Sequence, residues 1–166
     1  MDALKLHLVL NYYPAIGFVI ATLTFVGAIR FRSLPAQRFA LKLIVFFAIL
    51  TLGVALTGEF AGRAQEPYID SARAAALEGH KIFATIAFVL VEATGIAALV
   101  SLVRGRRDAE RGKKVYTIFL LLAAISSVLL VAVVLKGRQV KWAADIPGTR
   151  PALLTSIDME KRIWHA

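Results

Sequence analysis

The chain has 166 residues, 58% of them hydrophobic, with a formal net charge of +9 and no cysteine. Soluble domains carry roughly 45–50% apolar residues, so the excess, at a mean hydropathy of +0.70, must face something other than water. The missing cysteines exclude disulfides, thiolate metal sites, covalently attached haem c and iron–sulfur clusters together.

Four apolar runs supply that excess, at 8–29, 39–57, 82–103 and 115–135. Each approaches or exceeds the ~20 residues a helix needs to cross ~30 Å of hydrocarbon. Strand alternation is absent, which argues against a barrel. The first run is too long for a cleavable signal peptide and lacks a small-x-small exit. The expected fold is all-α: an integral membrane four-helix bundle, up-down-up-down, over 1–136, with an extramembrane tail at 137–166.

The first run opens with three residues that lipid tolerates poorly, His7, Asn11 and Pro14. They fall on one helix face, which turns that face into the bundle and away from lipid. Pro14 has no N–H and frees the carbonyl of Leu10, so a kink is expected there. Asn11 is placed to orient His7 or to satisfy the loosened backbone. Tyr12 and Tyr13 suit the headgroup belt.

The first connection carries Arg30, Arg32, Arg38 and Lys42 without an acid, and the third carries six basic residues against Asp108 and Glu110. The second is acidic on balance, with Glu59, Glu66, Asp70 and Glu78 against Arg63, Arg73 and Lys81. The positive-inside rule then puts the first and third connections in the cytoplasm and both termini outside. The expected location is a bacterial inner membrane with periplasmic termini. Basic charge beside spans is explained by topology and anionic lipid, so membrane lipids are expected partners and nucleic acid is not.

Parallel first and third spans bring two of the three histidines, His7 and His80, to similar depth on the outer side. Helices one and three are diagonal in such a bundle, which leaves room between inward imidazoles for a metal centre. A haem iron takes two axial histidines in this way, and Gly79, Ala84 and Ala87 are small enough beside His80 for a flat macrocycle. Glu59 and Glu78, on the same outer face, offer the alternative of a His/Glu site for a first-row metal. Glu92, near the middle of the third span, is either a proton relay or a protonated acid bonded to a threonine such as Thr24 or Thr51. In the tail, Pro147, Gly148 and Pro151 oppose a continuous helix, and Trp142 and Trp164 suit interface anchoring or docking.

The stretches "LHLVLNYYPAIG", "LTGEFAG" and "EGHKIF" resemble a family of uncharacterised bacterial four-helix inner-membrane proteins. These tend to show His-x-x-x-Asn-x-x-Pro-x-x-Gly on the first helix, Gly-Glu after the second and a His at the start of the third. The resemblance implies His7, Asn11, Pro14, Gly17, Gly58, Glu59 and His80 as site residues and assigns no activity. Trp142 stands where those proteins often carry a further His, which implies two histidines here and not three. The architecture is also broadly similar to small b-type cytochromes.

The functional expectation is an electron-transfer subunit holding haem b through His7 and His80, with Asn11 beside them. It would serve a larger respiratory or photosynthetic complex alongside other subunits, with no catalytic residue of its own. The alternatives are a cofactor-free accessory or assembly subunit, and a small metal-binding membrane protein with His7, His80, Glu59 and Glu78 as ligands.

Overall fold

A computed structural model describes residues 3–65, 71–104 and 109–139. They form five helices: α1 (Ala3–Leu10), α2 (Tyr12–Arg30), α3 (Leu34–Gln65), α4 (Ser71–Arg104) and α5 (Ala109–Gln139). No strand occurs among the described residues. Four stretches are long and apolar enough to cross a membrane: Leu6–Arg30, Leu34–Arg63, Ala74–Val103 and Tyr116–Arg138. The chain is a multi-pass, all-α membrane protein.

The first span is built from two helices because Pro14 breaks it. Without a proline N–H, the Leu10 carbonyl loses its intrahelical partner, and α1 ends at that residue. Asn11 keeps right-handed helical angles (φ −59°, ψ −27°), and its N–H still bonds the His7 carbonyl at 2.9 Å. The axis is therefore jointed, not reversed.

α2 closes with a Schellman motif. Arg32 takes a left-handed conformation at φ 53°, Ser33 N–H bonds Ala28 O at 2.9 Å, and Arg32 N–H bonds Ile29 O at 3.1 Å. Those bonds satisfy carbonyls that the helix end would leave bare and turn the chain directly into α3.

Neighbouring helices run antiparallel. Thr22 and Phe25 of α2 meet Ser127 and Phe119 of α5, and Thr94 of α4 meets Ser126. α2 and α4 each pack on both α3 and α5, which leaves α2 diagonal to α4. The centre holds Phe18, Phe25, Ile44 and Val91, all fully buried. Phe119 sets its ring edge-on to Phe25 at 5.0 Å. Small residues such as Ala21, Ala40, Ala98 and Ala123 are buried between the helices and let the backbones approach, as association inside lipid requires. Ile20, Leu23, Ile49, Val89, Leu121 and Val128 point outward, the arrangement expected of side chains solvated by acyl chains.

The helices overrun the apolar runs on one side. α3 continues past 57 to Gln65 and α4 starts at Ser71, so Glu59 and Glu78, expected in a connection, lie on helices. Their flanks explain it: Ala72, Ala74, Ala75 and Ala76 are strong helix formers, whereas hydropathy stops at the first charges. α5 likewise runs to Gln139, beyond the expected boundary at 136. Trp142, Trp164 and the rest of the tail lie outside the described residues, as do Glu66, Asp70 and Asp108.

Candidate functional site

At one end of the bundle, a cavity of about 310 Å³ is lined by His7, Asn11 and Pro14 from the first span, by α3 and by His80 on α4. The two histidines, far apart in sequence, thus share one chamber. Each is over nine-tenths buried, at 7% and 8% exposure. Apolar and small residues, among them Ala84, Ala87, Phe88 and Leu130, complete the walls.

His7 is held through one ring nitrogen. Nδ1 lies 3.2 Å from the Val54 carbonyl, and a carbonyl only accepts, so Nδ1 carries the proton. Thr57 Oγ1 sits 3.4 Å from the same nitrogen and donates its own proton to Val54 O at 2.9 Å. This tautomer leaves the Nε2 lone pair available. A ring fixed by an Nδ1–H bond to a backbone carbonyl is the usual support of a metal-binding histidine.

His80 repeats the arrangement less completely. Val133 lines the cavity with it, but Nδ1 is buried without a hydrogen-bond partner. Both rings rest on a glycine. A Cβ on Gly58 would fall 2.8 Å from His7 Cε1, and one on Gly137 would fall 3.1 Å from His80 Cε1. Asn11 Nδ2 would lie 3.8 Å from that same Gly137 Cβ. Asn11 and His80 thus lie beside the same glycine, and Asn11 lines the cavity with both histidines.

Val54 and Gly58 on α3 match Val133 and Gly137 on α5, in the stretches Val-Ala-Leu-Thr-Gly and Val-Val-Leu-Lys-Gly. The correspondence continues through the buried positions. Phe18, Ala21 and Phe25 after His7 match Val91, Thr94 and Ala98 after His80. Ala40, Ile44, Ala48 and Thr51 before Val54 match Phe119, Ala123, Ser127 and Leu130 before Val133. The described residues thus form two helical hairpins with matching buried positions, and each contributes one histidine. Val54, Thr57, Val133 and Gly137 were not singled out in the sequence. The repeated Val-x-Leu-x-Gly was the signal that marked three of them.

The carboxylates stand apart. Glu59 lines the cavity but is exposed and bonds Arg63 at 2.9 Å along its own helix. Glu78 is exposed on α4 and does not line the cavity. Among the described residues no three of His, Asp and Glu converge on one point. Lys81 stands on the cavity wall, and Lys136 Nζ lies 4.7 Å from the centre of the Phe83 ring.

Glu92 has no threonine partner. Its Oε1 is buried and unbonded, against the expected bond to Thr24 or Thr51. Those hydroxyls donate instead to Ile20 O at 2.8 Å and Phe47 O at 2.7 Å, and Thr85 donates to Lys81 O at 2.9 Å. A threonine inside a helix always has the carbonyl one turn back within reach, and here that local acceptor wins. No family, characterised relative or solved structure matches the chain.

Proposed function

We propose that this protein is a membrane electron-transfer subunit that holds a b-type haem in the histidine cavity. His7 and His80 would be the axial ligands. The observation that carries the reading is the matched setting of the two rings: each is buried in the one cavity and sits against a glycine, Gly58 or Gly137. The Nδ1–H bond of His7 to Val54 O leaves its Nε2 for a metal, and the unpartnered Nδ1 of His80 leaves that ring free to meet one. Apolar walls suit the macrocycle face, and Lys81 on the cavity wall suits a propionate.

When bound, such a haem supplies a one-electron couple. Held by His7 and His80 together, such a group would serve electron transfer. The chain's own residues would fix the rings, exclude water through Phe88, Leu130 and Leu77, and anchor the charged edge. The basic connections orient the cavity toward the periplasm of a bacterial inner membrane, where a partner subunit of a respiratory or photosynthetic complex would exchange electrons. A His/Glu metal site is less favoured, because Glu59 is paired with Arg63 and Glu78 is outside the cavity.

The test is an absorption spectrum of the purified protein, oxidised and reduced. A low-spin Soret band is expected, and His7→Ala and His80→Ala should each abolish it while the protein remains inserted. Absence of both a Soret band and stoichiometric metal would leave the accessory-subunit reading in its place.

A further inference from the structure

The opposite end of the bundle holds a second cavity, of about 500 Å³, between the start of α3, the last turn of α4 and Tyr116 of α5. Its wall is divided. Phe39, Leu41 and Leu102 form an apolar part, and Arg38 and Lys42 a cationic one. Arg30, Arg32, Arg38 and Lys42 gather at this end with no acid among them along the turn from α2 into α3, whereas Glu59, Glu78 and Glu92 lie toward the histidine end or mid-span and Glu110 starts α5 on this side.

Arg38 and Lys42 are one helical turn apart and line the same cavity. Like charges at that spacing repel each other, and a bound anion between them would reverse the sign. Arginine offers a planar fork to phosphate oxygens and lysine a mobile point charge. Their place in the first turns of a spanning helix corresponds to the depth of lipid headgroups. A free phosphate would satisfy the cations but leave the apolar wall uncovered, whereas a lipid covers both. Basic pockets between spanning helices bind anionic headgroups in this way.

We propose that this cavity is a binding site for one anionic phospholipid, its phosphate between Arg38 and Lys42 and an acyl chain along Phe39 and Leu102. The site is independent of the haem reading and lies at the other membrane face. To test it, the purified full chain in non-ionic detergent is titrated with phosphatidylglycerol or phosphatidylcholine, and bound lipid is counted by native mass spectrometry. One phosphatidylglycerol should be retained in preference to phosphatidylcholine. The double variant R38Q/K42Q should weaken that retention roughly thirtyfold, and the control R30Q/R32N, with the same charge removed outside the cavity, should change it little. Equal loss in both variants would overturn the site in favour of diffuse surface charge. Displacement of the lipid by millimolar inorganic phosphate alone would overturn the lipid reading in favour of a free-anion site.

Discussion

His7 and Glu92 are both polar side chains placed among apolar ones, and packing treats them differently. His7 is supported by a carbonyl and a hydroxyl, whereas the buried Glu92 Oε1 is bonded to nothing. An unsatisfied buried acceptor costs about 1–3 kcal/mol, so removing it should help. Glu92→Leu is expected to be neutral or to stabilise the protein by about 1 kcal/mol, measured by reversible unfolding in mixed micelles. Glu92→Gln should gain less, because its amide brings two donors that also need partners. Should both variants keep the fold but, under the proposed role, stop electron transfer, Glu92 would be moving protons.

At the scale of helices, the four spans are visible in hydropathy alone, and so is the joint at Pro14. The two-hairpin repeat is not, because its matched positions differ in residue type: Phe25 against Ala98, Ile44 against Ala123. Only burial aligns them. The helix ends around Glu59 and Glu78 were missed for another reason, since hydropathy marks where lipid ends and not where hydrogen bonding ends. The repeat makes a prediction with opposite signs in two measurements. Alanine is favoured over glycine in a helix by about 1 kcal/mol, so Gly58→Ala and Gly137→Ala should maintain or raise stability. Yet each new Cβ meets a histidine ring at 2.8 or 3.1 Å and must displace it, in the case of His7 from its bond to Val54 O. Haem retention should fall about 10–100-fold, read by Soret titration, with the larger loss at Gly58, where the contact is closer. Weakened folding with unchanged cofactor affinity would make these glycines packing residues only.

For the molecule as a whole, charge and shape divide along the bundle axis. The histidine cavity occupies one end and the predominantly basic end the other, with Thr22, Ser127, Thr94 and Ser126 linking three helices between them. Lysine and arginine resist translocation, so the end bearing Arg30, Arg32, Arg38 and Lys42 should remain cytoplasmic. The native chain has no cysteine, and single introduced cysteines therefore report without background. Ser33→Cys, in the turn between α2 and α3, should be protected from a membrane-impermeant thiol reagent in intact cells and react only after permeabilisation. Ala75→Cys, exposed near the start of α4, should react in intact cells. The reverse pattern would turn the bundle over, place the histidine cavity in the cytoplasm and require an electron partner on that side. Equal labelling at both positions would be incompatible with α3 crossing the membrane, since Ser33 precedes α3 and Ala75 follows it on α4, and α3, about 48 Å long, exceeds the ~30 Å of hydrocarbon it has to span.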